Sequence, residues 1–322
     1  MQLKAALTSA IDRLTADQVP SPRMNTELLL MFTLGCDRAY LFAHPERELS
    51  AEERIRYEAA LVERARGVPA QYITGHQEFW GMDLIVSPAV LIPRPETEHV
   101  IEAVLELHEA DFGPRTSEVG PRTSDFGPST PEGGSRAGEQ ECPPYTVADV
   151  GTGSGCIALA LAKELAQAEI HAVDISPAAL EIARANAARH QLDSRIQFHQ
   201  GDLLAGFENN SLDVVVSNPP YVGESEADQV QLEVRKFEPR DAVFAGPSGT
   251  EVIARLISQA RTALKPGGWL VMEISGTIAG EVETLLKGWD EVSIKPDLQS
   301  IPRVAQARKE RIAKVGPGDV AG

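Results

Sequence analysis

From Tyr145 onward the chain alternates short apolar runs with helix-length segments, and few folds accept that pattern. Strands are predicted over 146–150, 169–173, 196–199, 212–217 and 269–274, with helices over 156–165, 177–190 and 251–264. Two last strands are expected near 291–294 and 303–307. Lys265-Pro266-Gly267-Gly268 reads as the stop of the last of these helices. Strands that alternate with helices argue for a parallel, doubly wound α/β sheet, because each crossover lays a helix on a sheet face.

The N-terminal part has a different style. Leu3, Leu7, Ile11 and Leu14 recur at helical spacing, Pro20 and Pro22 separate that helix from the next, and a short third helix follows Asp37. Ser50-Ala51-Glu52-Glu53 has the spacing of a capping box and opens a helix to about Arg66. Residues 1–66 therefore read as a small helical domain with no titratable cluster suited to chemistry. Between 67 and 96, Gln71-Tyr72-Ile73-Thr74-Gly75 and the run 79–86 look like two strands around a turn. Pro88, Pro93 and Pro95 then stiffen a connector into a helix near 97–109. A third domain is expected over 97–309, with a flexible tail over 310–322. Within it, Gly113-Pro114-Arg115-Thr116-Ser117 recurs as Gly120-Pro121-Arg122-Thr123-Ser124, and Gly127-Pro128-Ser129 begins a third copy. A seven-residue repeat of this composition cannot bury a core, so 111–143 is expected to be a disordered surface insertion.

Composition narrows the partners. The 47 acidic against 30 basic residues give a net charge of −17, which opposes the neutralisation of many phosphates, so direct binding to nucleic acid is not expected. Cys36, Cys142 and Cys156 are far apart and form neither a disulfide framework nor a metal-ligand spacing. No signal-peptide pattern or membrane-length apolar run is seen, so a cytoplasmic protein with no membrane partner is expected.

The chemistry concentrates at two strand ends. Asp149-Val150-Gly151-Thr152-Gly153-Ser154-Gly155 joins the first strand of the sheet to its helix. Ligands of open α/β sheets bind beyond such carboxyl ends, and small residues let the backbone lie close to them. The third glycine comes one residue earlier than in the dinucleotide fingerprint, with Cys156 in its place. This G-x-G-x-G form resembles that of methyltransferases. Asp174 ends the second strand, 21 residues after Gly153, where a carboxylate can accept both hydroxyls of a ribose. Asp202, beside Leu203, follows the third strand and can reach an adenine amino group. Asp149 is expected to orient the loop or to meet an amino group of the ligand.

Ser217-Asn218-Pro219-Pro220-Tyr221 follows the fourth strand. Two prolines fix the backbone and remove two donors while leaving their carbonyls as acceptors. Together with the Asn218 side chain they can hold both hydrogens of an NH2 group and aim its nitrogen at a methyl, with Tyr221 offering a face to a planar substrate. This is positioning work, and alignment removes much of the barrier of an in-line displacement.

With these neighbours the chain resembles the release-factor glutamine methyltransferases, known as PrmC or HemK. Asn-Pro-Pro-Tyr is shared more widely. The resemblance is carried by Pro69-Ala70-Gln71-Tyr72-Ile73-Thr74-Gly75, Glu78-Phe79-Trp80-Gly81, Ile92-Pro93-Arg94-Pro95-Glu96-Thr97-Glu98, Arg235-Lys236-Phe237-Glu238-Pro239 and Ile301-Pro302-Arg303-Val304. It covers nearly the whole chain outside 111–143 and the tail. It implies a class I Rossmann-like methyltransferase domain, seven strands with helices on both faces, behind an all-α domain that grips a peptide-chain release factor. It also implies S-adenosyl-L-methionine as cofactor, S-adenosyl-L-homocysteine as product, and the glutamine of a Gly-Gly-Gln motif as acceptor. Gly151, Thr152, Gly153, Ser154, Gly155 and Asp174 would hold the cofactor, Asn218, Pro219, Pro220 and Tyr221 the glutamine, with Arg94, Pro95, Glu96 and Thr97 beside them. The chain departs from the family pattern at Asn25-Thr26, where Asp-Ala is usual, at Leu203, where an aromatic is frequent, and in the repeat.

Two other readings share these residues. A DNA or RNA amino-methyltransferase would use the same pocket but is expected to carry a basic recognition region and to retain DNA in a salt-sensitive way. A non-catalytic adaptor would keep the fold and lose turnover, against which the intact 151–155 loop, Asp174 and Asn218 argue.

Overall fold

The computed structural model describes residues 1–112 and 145–311. The repeat from Gly113 on, Cys142 and the tail from Ile312 on lie outside the described residues, and the expectations about them with it.

Five helices build the N-terminal unit: α1 (Leu3–Ala16), α2 (Pro22–Leu34), α3 (Arg38–Ala43), α4 (Ala51–Ala65) and α5 (Ala70–Thr74). Asp37 caps α3 by accepting from the Tyr40 amide, and Ser50 and Glu53 close a reciprocal capping box at α4. Both devices satisfy amides that a helix start leaves without partners. The buried stripe of α1 runs through Leu3, Ala6, Ala10 and Leu14, with Leu7 and Ile11 at its margin. It packs with Leu29, Leu30, Tyr57 and Leu61 into a core separate from those of the sheet.

The expected strand at 71–75 is a helix. Pro69 fixes the backbone at the start of α5, and Gly75 stops it in the left-handed region. The hairpin lies one step later, β1 (His76–Phe79) paired antiparallel with β2 (Met82–Ile85). Its two-residue turn, Trp80-Gly81, has positive φ at both positions, the geometry that matches strand twist. A 3-10 turn at Pro95–Thr97 leads into α6 (Glu98–Phe112).

The remaining elements alternate as expected: β3 (Thr146–Val150), α7 (Cys156–Glu164), β4 (Glu169–Asp174), α8 (Pro177–Arg189), β5 (Ile196–Gln200) and β6 (Leu212–Ser217). A small excursion follows, β7 (Val222–Gly223), α9 (Leu232–Phe237), α10 (Arg240–Val243) and β8 (Phe244–Gly246). The chain then returns through α11 (Glu251–Ala263), β9 (Leu264–Glu273), α12 (Ala279–Leu285), β10 (Asp290–Pro296) and β11 (Pro302–Arg308). Strand β9 starts five residues before the expected Trp269, because the Lys265-Pro266-Gly267-Gly268 segment stays beside β6 through a register shift between Leu212 and Val214.

Seven strands form one sheet in the order β10-β11-β9-β6-β3-β4-β5. Strands β5, β4, β3, β6 and β9 run parallel, and β11 is antiparallel to both its neighbours. Alternate residues serve opposite faces. Val147, Val214, Val216 and Val271 join α6 and α7 in one core, while Ala148, Val215, Leu270 and Met272 join α11 and α12 in the other. Because both faces are covered at the centre, β6 and the second half of β9 read as nearly unbroken apolar runs, while the edge strands β5 and β10 carry polar residues. The order reverses between β3 and β6, so the crossovers diverge there and leave a crevice at the strand ends.

Candidate active site

The crevice is a cavity of about 450 Å³, lined from the carboxyl ends of β3, β4, β5 and β6. Its floor is the loop after β3. Gly151 and Thr152 donate their amides to the Val173 carbonyl at 2.8 and 2.9 Å, which pins the loop against β4. Gly151, Thr152, Gly153 and Ser154 all line the cavity. Gly155 does not. Its φ is +84°, and a Cβ there would meet Leu159 Cδ1 at 2.7 Å and Ala183 Cβ at 3.2 Å, so this glycine lets α7 and α8 approach.

Asp149 lies behind the loop, fully buried. Its Oδ2 accepts from the Thr152 hydroxyl at 2.6 Å and the Ala158 amide at 3.0 Å, while its Oδ1 has no hydrogen-bond partner. Burial pushes this carboxyl up to about 7, against the pull of those two donors. Asp174 ends β4 and lines the cavity, accepting from the amides of Gly153 and Ser176 at 2.9 Å each. Burial raises it as well. Asp202 and Leu203 line the far end. The Asp202 carboxylate is paired with Arg255, which sequence reading missed, and Leu203 sits at φ +55°, a strained value for a branched side chain.

At the other end Asn218 and Pro220 line the cavity beside Arg94 and Thr97. Pro219 is buried under them, and Pro95 and Glu96 are exposed outside the cavity. Asn218 Nδ2 donates to Thr97 Oγ1 at 3.0 Å, and that hydroxyl donates to Glu273 Oε2 at 2.6 Å. The Tyr221 hydroxyl donates to the other oxygen, Oε1, at 3.2 Å. Thr97 and Glu273 are each 1 % exposed. Burial pushes the Glu273 carboxyl up, opposed by the Thr97 hydroxyl, by Arg303 and by the Tyr221 hydroxyl, and burial raises Tyr221 too. Gly249, at φ +89°, packs so close to this turn that a Cβ would fall 2.7 Å from the Tyr221 carbonyl.

Further residues that single-sequence reading missed brace the site. Arg94 is paired with buried Glu238, whose second oxygen accepts from the Ile92 amide at 3.1 Å. Asn186 on α8 exchanges hydrogen bonds with both backbone groups of Ile85 and donates to the Ser154 carbonyl at 2.9 Å, tying the hairpin to the loop. A polar residue on the otherwise apolar inner face of α8, among Ala179, Leu180, Ala183 and Ala187, was the available signal for Asn186. A lone acid closing the apolar run 269–272 was the signal for Glu273. Cys156 also lines the cavity, but burial pushes its thiol up to about 12, which leaves it inert. Among the described residues no cluster of His, Cys, Asp and Glu could hold a metal, and no helix is long and apolar enough to cross a membrane.

Residues 5–75 match the PrmC N-terminal domain family and residues 140–236 the methyltransferase small domain family. A protein of Koribacter versatilis named release factor glutamine methyltransferase is 52% identical over 310 residues, covering 96% of this chain and 99% of that one. The chain belongs to the release factor glutamine methyltransferase family. A Moorella thermoacetica protein of the same name is 40% identical over 89% of this chain and 90% of its own, and one of Rhodopirellula baltica is 37% identical over 90% of each. The hMettl16 catalytic domain, solved in complex with the MAT2A 3'UTR hairpin 6, superposes with a TM-score of 0.51 at 14% identity, over 81% of this chain and 82% of that one. That likeness concerns the fold: a class I methyltransferase sheet stands behind a helical bundle. The chain is thus an enzyme of the methyltransferase class.

Proposed function

We propose that this methyltransferase transfers a methyl group from S-adenosyl-L-methionine to the side-chain amide nitrogen of the glutamine in the Gly-Gly-Gln motif of peptide-chain release factors, releasing S-adenosyl-L-homocysteine. The observation that carries it is that the glycine loop and Asn218 share one cavity, at neighbouring strand ends, in a chain of this family. The cavity has the size of a small-molecule site. The cavity lining is compatible with the cofactor: Asp174 would accept the ribose hydroxyls, Asp202 and Leu203 would meet the adenine, and Asp149, buried behind the loop with Oδ1 unpartnered, would orient the loop and add negative charge toward the ammonium group.

Bound S-adenosylmethionine supplies an electrophilic methyl carbon. The chain's own residues supply alignment. Asn218 Oδ1 and the Pro219 carbonyl accept the two amide hydrogens of the glutamine, which fixes the nitrogen and raises its electron density. Pro219 and Pro220 keep that turn rigid, and Tyr221 packs beside the planar amide. Arg94 and Thr97 form the adjacent wall, with Arg94 held in place by Glu238, while Pro95 and Glu96 stand at its outer edge. The proton leaves after transfer, so no strong base is needed. In this reading 1–66 recognise the release factor, 67–96 connect, and 97–309 carry the reaction, in the cytoplasm where release factors act.

The test is incubation with labelled S-adenosylmethionine and a bacterial release factor, beside a copy with the Gln of Gly-Gly-Gln changed to Ala. Label on the first only is expected. Label on neither, with cofactor binding intact, overturns the assignment.

A further inference from the structure

We infer that Glu273, acting through the Thr97 hydroxyl, decides which way the Asn218 amide faces, and so positions the group that grips the acceptor nitrogen. This inference rests on the reading of Asn218 given above.

The oxygen and nitrogen of an asparagine amide have nearly the same shape, so only the hydrogen-bond network distinguishes the two orientations. The network here leaves one. Both hydroxyls that reach Glu273 donate to it, Thr97 to Oε2 at 2.6 Å and Tyr221 to Oε1 at 3.2 Å, the pattern of a carboxylate that accepts at both oxygens. Burial works against a charge on Glu273, and the Thr97 hydroxyl, Arg303 on the antiparallel neighbour β11 and the Tyr221 hydroxyl work for it. The single proton of Thr97 is then committed, and its lone pairs can only receive. Asn218 must therefore present Nδ2 to Thr97, at 3.0 Å, and turn Oδ1 toward the cavity. The reversed amide would set two acceptors against each other in a site where Thr97 and Glu273 are nearly closed to water.

The fold makes this arrangement rigid. Ser217 and Met272 are register partners in the parallel β6–β9 pair, so Asn218 and Glu273 are the next residues on adjacent strands. Thr97, on the 3-10 turn before α6, drops its hydroxyl between them. Glu273 does not line the cavity and acts through Thr97, so it is a positioning residue.

The test uses the full-length enzyme. Thr97→Val keeps the side-chain shape and removes the hydroxyl. It is expected to lower kcat by about tenfold or more, with the affinity for S-adenosylhomocysteine little changed and the melting temperature lowered by a few degrees, because a buried oxygen of Glu273 loses its donor. Thr97→Ser, which restores the hydroxyl, should recover most of that loss. Glu273→Gln offers one donor where two hydroxyls need acceptors and should also lower kcat. A second readout needs no acceptor substrate: the Asn218 side-chain 15N amide signals, identified by their absence in Asn218→Ala, should shift in Thr97→Val and return in Thr97→Ser. Unchanged kcat and unchanged amide signals in Thr97→Val overturn the inference, as does a loss matched by equal loss of cofactor affinity. If the wild-type enzyme fails to label a release factor, the function proposed above fails, and the amide signals still decide this inference.

Discussion

Arg64 Nη2 lies 2.8 Å from Glu233 Oε2, joining helix α4 of the N-terminal bundle to helix α9, which follows the Asn218 turn. Arg64 is 3 % exposed, and its other nitrogens are used as well: Nε donates to Asn25 Oδ1 at 2.8 Å and Nη1 to the Val68 carbonyl at 3.1 Å. Helix α9 is followed directly by Glu238, the residue that holds Arg94 at the cavity. One guanidinium thus couples the bundle, the connector and the wall of the site.

Replacing Arg64 by Met should lower stability by about 2 kcal/mol, below the ~3–5 typical of broken buried pairs because Glu233 keeps some water contact. A double-mutant cycle with Glu233→Gln, read by urea unfolding, should return a coupling of about 1 kcal/mol. A coupling near zero would mean the pair is a contact without energetic consequence.

Asn218→Ala should reduce turnover by roughly 10²-fold while cofactor affinity changes little, because the residue aligns the acceptor and not the donor. Single-turnover rates and calorimetric titration of S-adenosylhomocysteine separate the two. Equal losses in both would sink the positioning role.

Much of this was legible in the sequence because local rules and the global fold agree there. The strand–helix alternation from Tyr145 fixes a doubly wound sheet, and the glycine loop, Asp174 and Asn218 fall at strand ends by that alternation alone. The error at 71–75 has a physical cause. Tyr72, Ile73 and Thr74 favour strands, but Pro69 and Gly75 bracket a single turn of helix, and burial of Ala70 and Thr74 settles it. What stayed hidden is long-range. Thr97 and Glu273 are 176 positions apart, and Ile85 and Asn186 are 101 apart. No local spacing brings such pairs together; only the strand order and the seating of the hairpin do.

Deleting residues 113–141 should leave kcat/KM within about twofold. The flanks explain why. Asp111, near the end of α6, accepts from Trp269 Nε1 at 3.0 Å and pairs with Arg308 at 2.8 Å. Tyr145 leads into β3, where the Thr146 amide donates to Asp213 at 2.9 Å. Both flanks therefore sit at the amino end of the central parallel strands, across the sheet from the cavity at their carboxyl ends. A tenfold fall in kcat/KM, with the melting temperature preserved, would show that the repeat takes part in the reaction.

Asp149 offers a trade between stability and binding. Its carboxyl is raised by burial from 3.8 to about 7 in the folded chain. Between those values the folded state holds the proton and the unfolded state does not, so this group's contribution to stability is full below about 3.8 and is lost as pH rises toward 7. Asn at this position does not titrate. It can keep an oxygen for Thr152 and Ala158 and puts an amide where Oδ1 has no partner. Without cofactor, Asp149→Asn should therefore melt a few degrees above wild type at pH 8, with the difference shrinking toward pH 4. Under the proposed reading the same change also removes a negative charge from behind the loop, so affinity for S-adenosylhomocysteine, which carries an ammonium group, should fall severalfold through the lost attraction. Melting curves at pH 4 and 8, with and without S-adenosylhomocysteine, read both effects. A melting difference that does not change with pH would show that Asp149 is already ionised and relieved in the folded chain by a partner the free carboxylate oxygen does not have here.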